Sequence, residues 1–303
     1  MNQLFNGDCM KVMGEIPDKS IDMIFADLPY GTTQNEFDKQ IPLADYVMVG
    51  GKPFDQEQYL LHAHRAGVPY KDALAAFRKE AVPGLWTHYK RIIKDNGCIA
   101  LFAQAPFDIK LANSNQSWYR YEWIIQKTRP TGHLNARRAP LKAHEKVLIF
   151  YKKPPTFNPQ MIDGCLPTHS GTKASTGKTN YKQTSACVNR ISTERFPIDV
   201  LTFKWDTRTN ALHPNQKPVA VCEYFIRSYT NTGDTVLDNT MGSGSAGVAC
   251  VRTNRNFIGI EKKESIFLDA SSRIDDEINL KKEGVLPYVA GDQTVIQSVI
   301  EGF

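Results

Sequence analysis

The sequence of 303 residues contains no long apolar run and only six cysteines. Because no stretch approaches the roughly 18 apolar residues that a membrane-spanning helix needs, we expect no membrane partner. The N-terminus lacks a basic segment followed by an apolar one, which predicts a cytoplasmic location. The cysteines never stand at the close spacing of a zinc site or redox pair, so we expect reduced, mostly buried thiols and no metal.

Hydrophobic residues make up 41% of the chain and charged residues 23%, an ordinary balance for a globular protein. This composition excludes a disordered chain, a collagen-like fibre and a small disulfide scaffold. The length suits one large α/β domain, or such a domain carrying a sizeable insertion. Composition therefore limits the fold class but names no function.

Positive charge is concentrated in the middle of the chain. Residues 127–208 contain fifteen Lys and Arg against five acids, a net charge of +10, so the remainder of this +5 chain carries −5. Mixed with Tyr, His, Asn, Gln and Thr, such a stretch is typical of a surface that follows phosphates. A solvated, lysine-rich face explains the charge equally well.

Short apolar runs alternate with helical patterns, which predicts a parallel sheet covered by helices. Residues 21–26 indicate a buried strand, and it ends at Asp27-Leu28-Pro29-Tyr30 because Pro29 and Gly31 forbid its continuation. Open α/β sheets bind ligands at the carboxyl ends of their strands. Asp27 is therefore predicted to lie at the ligand-binding edge.

The remaining pattern predicts two α/β segments separated by an insertion. Residues 152–210 are polar, basic and punctuated by Pro and Gly, and they are too long for a structureless loop, which indicates a functional insertion. The elements predicted before it are a helix over 71–93 broken at Pro83-Gly84, a turn at 95–97 and strands over 98–103, 121–126 and 146–151. Those predicted after it are a helix over 218–229, a strand over 235–238, a helix over 247–253 and a strand over 257–261.

A glycine motif follows the strand predicted at 235–238. Gly242, Gly244 and Gly247 have the spacing of a dinucleotide fingerprint, and Glu261 stands 19 residues after Gly242, where a ribose-binding acid belongs. Asp238 at the strand's end would repel the pyrophosphate of NAD, whereas it would attract the ammonium and sulfonium of S-adenosylmethionine. The motif thus favours S-adenosylmethionine. NAD and a ligand-free turn that packs a helix are the alternatives.

The segment Asp27-Leu28-Pro29-Tyr30 suits chemistry on a base amine. The lone pair of an exocyclic amine is delocalised into the ring, so attack by nitrogen needs acceptors that localise it. Ionised Asp27 and the Leu28 carbonyl can each accept one N–H, while Pro29 stiffens the turn. Tyr30 offers a ring on which an extruded base can stack. Ordinary turn chemistry at a strand end is the alternative interpretation.

With these two motifs, the chain resembles the amino-specific DNA methyltransferases of the permuted beta class, and in particular site-specific adenine methyltransferases of phages and mobile elements. In that family the catalytic motif precedes the recognition region, which precedes the cofactor glycines, as here. The similarity spans nearly all of residues 1–274. Leu28 stands where the family usually has proline, and the needed group there is a carbonyl, so we expect the chemistry to survive.

The resemblance assigns roles to individual residues. It places Asp8 near the cofactor's adenine, the segment from His213 to Pro218 at the methionine end of the pocket, and Glu261 at the ribose hydroxyls. The catalytic residues that it implies are Asp27, Leu28, Pro29 and Tyr30. The cofactor-binding residues that it implies are Asp8, His213, Lys217, Pro218, Asp238, Met241, Gly242, Gly244, Ser245 and Glu261.

The resemblance also implies a fold: an α/β, doubly wound, mostly parallel and circularly permuted sheet of seven strands with an inserted basic target-recognition region. The expected domains are residues 1–151 for the catalytic half, 152–210 for recognition, 211–275 for the half that binds S-adenosylmethionine and 276–303 for a C-terminal extension. Residues 43–79 are longer than the family's usual connection. A DNA-contacting flap, a dimer contact and a neutral elaboration are all open for them.

The implied reaction is methyl transfer from S-adenosylmethionine to a flipped-out base of double-stranded DNA by direct displacement, without a metal. Asp27 in place of a serine resembles the adenine-N6 members of the family. The alternatives are a cytosine-N4 methyltransferase, an NAD-dependent oxidoreductase and a catalytically silent DNA-binding relative. A homodimer is left open, as is the target sequence.

Overall fold

The computed structural model describes residues 2–31, 38–163, 165–172, 187–203 and 216–284. His213 and residues 285–303 of the expected C-terminal extension lie outside the described residues. The chain forms two compact units. The larger unit comprises Met1–Phe157 and Asp199–Phe303, and the smaller comprises Asn158–Ile198.

The larger unit alternates strands and helices along the chain. Its elements up to residue 150 are β1 (Asn2–Asn6), α1 (Cys9–Glu15), β2 (Ile21–Ala26), β3 (Tyr46–Val49), β4 (Lys52–Asp55), α2 (Gln56–Arg65), α3 (Tyr70–Glu80), α4 (Leu85–Ile92), β5 (Ile93–Ala103), α5 (Phe107–Ser114), β6 (Tyr119–Thr131) and β7 (Lys142–Phe150). Strands β8 (Thr168–Thr172) and β9 (Cys187–Ser192) belong to the smaller unit. The larger unit then continues with β10 (Val200–Phe203), α6 (Val219–Tyr229), β11 (Thr235–Asp238), α7 (Ser245–Thr253), β12 (Asn256–Glu261) and α8 (Glu264–Lys282).

The central sheet has the strand order β1-β12-β11-β2-β5-β7-β6-β10. Among its strands in the described residues, β7 alone runs antiparallel, and β1 pairs in parallel with β12. The N-terminal strand therefore lies beside the C-terminal half, which confirms the permuted, doubly wound arrangement. The sheet has eight strands in the described residues, one more than the seven expected. The additional strand, β10, lies within the expected recognition region 152–210 but extends the main sheet.

Both faces of the sheet are buried, and the two sides of β2 show why. Met23 and Phe25 pack on one face among residues of α6 and α7, whereas Ile24 and Ala26 pack on the other with residues of α1 and α4. Successive side chains of a strand point to opposite faces, so a strand covered on both sides needs an uninterrupted apolar run. This burial fixes the register of β2, and with it the position of Asp27 just past its end.

The predicted turn at 95–97 is wrong, because the backbone of β5 continues through it. Ile21 pairs with Ile93, but Met23 pairs with Cys98, so β5 accommodates several extra residues against β2 as a bulge. A side chain at Gly97 would lie 2.8 Å from the carbonyl oxygen of Asp22, which explains why glycine stands there. The Asp-Asn-Gly segment thus bends the strand locally without reversing the chain.

The long segment 43–79 is built from the β3–β4 hairpin, α2 and most of α3. Asp55 caps α2 by accepting a hydrogen bond from the Gln58 backbone at 2.9 Å, while the Gln58 side chain accepts one from the Asp55 backbone at 3.1 Å. Two backbone hydrogen bonds between Tyr46 and Val82 join the start of the hairpin to the residues that follow α3. The segment is therefore built mainly from regular secondary structure.

The smaller unit is an antiparallel pair, with Thr168 of β8 opposite Ser192 of β9. Ile162 and Arg195 form an isolated antiparallel bridge beside it. The Arg195 guanidinium also donates to backbone carbonyls of the same unit, including that of Ser192 at 2.9 Å. Across the described residues of the whole chain, we find no helix with both the length and the apolar character to cross a membrane.

Gly84 offers a test of the packing between the 43–79 segment and α4. A Cβ added at this position would lie 2.1 Å from the backbone oxygen of Ala44, a contact that only a shift of the backbone can relieve. We expect Gly84→Ala to cost about 2 kcal/mol and to lower Tm by roughly 5 °C in thermal unfolding. Gly14→Ala is the matched control, because nothing lies within 4 Å of its added methyl. Equal Tm values for the two variants would contradict this packing.

Candidate active site

The carboxyl ends of β2 and β11 meet at the same edge of the sheet. The two strands are parallel neighbours, with Met23 opposite Val236 and Ile24 opposite Leu237. Just past them, the Thr240 hydroxyl donates a hydrogen bond of 3.1 Å to the backbone oxygen of Asp27. The two motifs, more than two hundred positions apart in sequence, are thus in direct contact.

Asp27 belongs to a chain of alternating charges. The Lys217 ammonium lies 2.9 Å from Asp27 Oδ2 and 2.9 Å from Glu145 Oε2. Lys127 is the last member of this charge chain, and its Nζ lies 2.5 Å from Glu145 Oε1. The side chains of Lys127, Glu145 and Lys217 are only 10%, 11% and 13% exposed, against 30% for Asp27. Asp27 is therefore the member of this charge chain that solvent reaches most easily.

The pKa values in this charge chain follow from burial opposed by pairing. Burial alone would raise the pKa of Glu145, but Lys217 and Lys127 outweigh it and leave that pKa below its usual range. Burial alone would lower the pKa of Lys217, but Asp27 and Glu145 outweigh it and raise that pKa. The Lys217 ammonium also lies 4.8 Å from the centre of the Phe102 ring. Both groups therefore stay charged at neutral pH.

Tyr30 is fixed against Asp27 by its own hydroxyl. That hydroxyl donates a hydrogen bond of 2.6 Å to Asp27 Oδ1, and the ring packs against Phe107 at a centroid distance of 5.3 Å. Burial, then the negative charge of Asp27, raises the pKa of Tyr30 well above its usual value, so it remains a neutral donor. Gln40 donates to the Tyr30 carbonyl at 2.6 Å and holds the turn from outside.

Leu28 and Pro29 complete the turn after β2. The Leu28 side chain is buried in the core on the α1 and α4 side of the sheet. Gly31 follows with a positive φ of 68°, which a residue with a side chain rarely adopts. The Asp38 carboxylate accepts a hydrogen bond of 2.8 Å from the Gly31 backbone N–H. The turn is thus anchored on both sides of Tyr30.

The glycine loop follows β11 and turns sharply into α7. Gly242 and Gly244 have φ values of 50° and 76°, in the left-handed region. The Gly242 N–H donates to Glu261 Oε2 at 3.1 Å, and the Lys263 N–H donates to Oε1 at 2.9 Å. Buried Met241 is held by its N–H, which donates to the Ile260 carbonyl at 3.0 Å. Glu261 is therefore oriented through both of its oxygens.

Asp238 is a buried acid at the end of β11. Its Oδ1 accepts a hydrogen bond of 3.0 Å from the Thr240 N–H, and it forms no ion pair with a described cation. Burial raises the pKa of Asp238 to about 8, opposed by the Thr240 hydrogen bond and helped by the charges of Asp27 and Glu261. This position therefore favours either a proton or a cationic ligand.

The other predicted cofactor residues are spread along the same edge. Asp8 caps α1 by accepting from the Met10 N–H at 3.0 Å, and exposed Lys262 lies 3.1 Å from its other oxygen. Ser245 begins α7 and accepts from Arg273 at 3.1 Å. Pro218 precedes α6. Lys217 lies with Asp27 in the charge chain rather than in the glycine loop.

The comparison with protein families decides the classification. Residues 21–272 match the family described as DNA methylase, which groups N6 and N4 enzymes. The chain belongs to this DNA methylase family. The family membership confirms the resemblance drawn from the two motifs, and it removes the NAD-dependent oxidoreductase that the glycine spacing had left open.

Two curated relatives of the methylase are type II methyltransferases. M.HinfI of Haemophilus influenzae is 26% identical over 282 residues, which make up 90% of this chain and 68% of that protein. M.HpaI of Haemophilus parainfluenzae is 27% identical over 195 residues, or 62% of this chain and 57% of that protein. The methylase thus spans between about half and two thirds of the length of these relatives.

Solved structures share the fold of the methylase. The M1.HpyAVI–SAM complex matches with a TM-score of 0.52 and 19% identity, covering 91% of this chain and 100% of that chain. The PvuII DNA methyltransferase, described as cytosine-N4-specific, matches with a TM-score of 0.54 and 15% identity, covering 94% of each. In the described residues of the methylase itself, no group of three or more His, Cys, Asp or Glu could hold a metal ion.

Sequence reasoning missed Lys127, Glu145 and Thr240. A signal for Glu145 exists, because it stands in phase with Val147 and Ile149 on the buried face of β7. Lys127 likewise stands in phase with Ile125 on β6, where an apolar side chain is expected. Charged residues at core positions are rarely fully buried unless they are paired. Two such residues of opposite charge on neighbouring strands therefore indicate a buried pair.

The raised pKa of Asp238 has a consequence for stability. Its ordinary pKa is 3.8, so between about pH 4 and pH 8 the folded methylase holds a proton that the unfolded chain has released. The unfolded state then binds fewer protons, and the contribution of Asp238 to stability falls as pH rises through this window. Asparagine does not titrate. Asp238→Asn should therefore become more stable relative to wild type as pH rises.

The expected gain is of the order of 1 kcal/mol per pH unit at most. Urea unfolding of both proteins without ligand, at pH 5, 6, 7 and 8, measures it. A stability difference that stays constant over this range would show that Asp238 is ionised throughout and would overturn its description as a protonated buried acid.

Proposed function

We propose that the methylase transfers a methyl group from S-adenosylmethionine to the exocyclic N6 of adenine, at a specific sequence in double-stranded DNA. The observation that carries this proposal is the contact between Thr240 and Asp27, which joins the glycine loop to the acid at the end of β2. An acceptor for a base amine and a loop suited to a nucleotide-like cofactor thus lie side by side.

The residues around the glycine loop fit S-adenosylmethionine. Buried Asp238 has no described cationic partner, and an ammonium group would satisfy it, whereas a pyrophosphate would not. Glu261 keeps free acceptor lone pairs for ribose hydroxyls beyond its two backbone hydrogen bonds. When bound, S-adenosylmethionine supplies an electrophilic methyl group on its sulfonium. Asp8, at the same edge, is assigned to the adenine end.

Asp27 would accept one N–H of the target amine and the Leu28 carbonyl the other, which localises the nitrogen lone pair. One lone pair on each Asp27 oxygen is already used, by Tyr30 and by Lys217. A carboxylate offers about four acceptor positions, so Asp27 retains capacity for the amine. The existing partners hold its plane in place before the base arrives, and such preorganisation lowers the barrier at the moment of reaction.

The target base must leave the helix to reach Asp27, because the amine of a paired base is not accessible to an acid at a sheet edge. Tyr30 would provide the stacking surface. The recognition of the target sequence is assigned to residues 152–210, where Lys and Arg would hold phosphates and polar side chains would read base edges. Each assignment rests on the sequence pattern and on the family.

The choice of adenine rests on Asp27, since the resemblance links aspartate at this position to the adenine-N6 enzymes. Cytosine N4 is the second candidate, because the described acceptors suit either amine and the cytosine-specific PvuII enzyme has the same fold. Long-read sequencing of DNA from cells that express the methylase should report N6-methyladenine in one sequence context. N4-methylcytosine there would replace adenine by cytosine in the proposal, and unmodified DNA would favour a silent relative.

Asp27→Asn tests the acceptor role directly. The asparagine amide has the same shape as the carboxylate but offers fewer acceptor lone pairs, and its NH2 group would face the N–H donors of the target amine. Transfer of labelled methyl to duplex DNA should therefore fall by at least about 100-fold. Binding of S-adenosylhomocysteine, measured by calorimetry, should change little. Retained turnover would remove Asp27 from its proposed role.

Lys217→Met separates two roles for Lys217, positioning of Asp27 and binding of the cofactor. Because Lys217 contacts Asp27 and Glu145, we expect kcat to fall by about 100-fold while the Kd for S-adenosylhomocysteine stays within a few-fold of wild type. Lys94→Met is the matched control, since it breaks an ion pair with Asp22 remote from the charge chain. A raised Kd with unchanged kcat would return Lys217 to the cofactor site.

A further inference from the structure

The end of β6, the connection after it and the first residue of β7 form a protruding arm of residues 128–142, which we call the β6–β7 arm. Its base is closed by pairing of Thr131 with Lys142 and of Gln126 with His144. Residues 131–140 are all exposed. Because β6 runs parallel to β10 and antiparallel to β7, which is itself antiparallel to β5, the arm leaves the sheet at the same edge as Asp27.

The arm starts immediately beyond the charge chain. Lys127, the residue before it, pairs with Glu145, and Glu145 shares Lys217 with Asp27. Six residues lead from Lys127 to the arm's tip at His133, which at full extension gives a reach of at most about 20 Å. A duplex whose target base lies at Asp27 would therefore be within reach of the tip.

The arm carries only positive charge. Its sequence from 128 to 142 contains Arg129, Arg137, Arg138 and Lys142 and no acid. None of these four side chains forms an ion pair with a carboxylate in the described part of the chain. By contrast, Lys127 and Lys146 on the adjoining strands are paired with acids. The positive charge of the arm is thus left for an external partner.

The tip is an ordered turn that presents one apolar side chain. Gly132, with a φ of 93°, starts a short 3-10 helix over His133–Asn135. The Asn135 carbonyl then accepts hydrogen bonds from the backbone N–H groups of Arg138 at 2.8 Å and Ala139 at 3.0 Å. Leu134, in the middle of this turn, is fully exposed.

A single exposed leucine needs no explanation by itself. Here it stands at the tip of an arm whose four cations have no acidic partner among the described residues, at the edge where a base must be extruded. Proteins that deform DNA insert apolar side chains such as leucine between bases while cations hold the flanking phosphates. We infer that the β6–β7 arm is a DNA-contacting element, with Arg129, Arg137, Arg138 and Lys142 on phosphates and Leu134 inserted into the helix beside the extruded base.

This inference rests on the proposed function, so the test begins with wild-type enzyme that methylates a duplex carrying the sequence found by long-read sequencing. Arg137→Gln/Arg138→Gln should weaken binding of that duplex and reduce the slope of log K against log salt by about 2, one unit for each lost phosphate contact. The matched control is Lys11→Gln/Lys282→Gln, exposed lysines on α1 and α8. A salt slope equal to that of the control would overturn the phosphate contacts.

Leu134→Ala tests the insertion separately. On a fully paired duplex its kcat/KM should fall about tenfold or more, and the defect should largely disappear when the target base is mispaired, because extrusion then costs less. Leu268→Ala is the control, an exposed leucine on α8. An equal defect on paired and mispaired duplexes, or no defect, would overturn the insertion. Failure of wild type to transfer methyl would instead overturn the proposed function.

Discussion

The site depends on one constraint, the parallel pairing of β2 with β11. Parallel neighbours end at the same edge, so whatever follows one strand meets whatever follows the other. Here the pairing of Ile24 with Leu237 brings Thr240 to the backbone of Asp27 at 3.1 Å. Because both faces of these strands are buried, a slip of one residue would turn core side chains toward the wrong helices and is excluded. The hydrophobic core therefore sets the distance between the two motifs.

The two acids at that edge, Asp27 and Asp238, differ in their charged partners. Asp27 faces Lys217, which also pairs with Glu145, and Glu145 in turn pairs with Lys127, so two negative and two positive charges alternate within a few ångströms. Asp238 is left without such a partner among the described residues, and burial raises its pKa to about 8. In the proposed reaction the acid that meets the base is held in advance by the protein's own lysine. The acid that meets the cofactor gains its counter-charge only from the ligand.

The parallel sheet and both motifs could be predicted from the sequence, because apolar runs ended by Pro or Gly indicate strands and their carboxyl ends. The permuted order was implied only by the resemblance to the family. Prediction failed where one sequence pattern is compatible with two local structures. The Asp95-Asn96-Gly97 segment is typical of a turn, but Ile93 before it and Cys98 after it both pair with β2, so it forms a bulge within β5. Strand β10 has only four residues, too few for an alternation of apolar and polar side chains to identify a strand. Contacts between distant side chains, such as Lys217 with Glu145, depend on strand order, which no local pattern contains.

The antiparallel strand β7 explains why the charge chain and the β6–β7 arm occur together. Between parallel strands, the chain leaving the carboxyl edge must enter a crossover and pack a helix on the sheet. Between β6 and β7 it returns directly, so the connection is free to project from the edge as an arm. The same reversal places the start of β7, rather than its end, at this edge, and thereby brings Glu145 to Lys217. One change of strand direction thus supplies both a second carboxylate that shares Lys217 with Asp27 and an exposed hairpin at the same edge of the sheet.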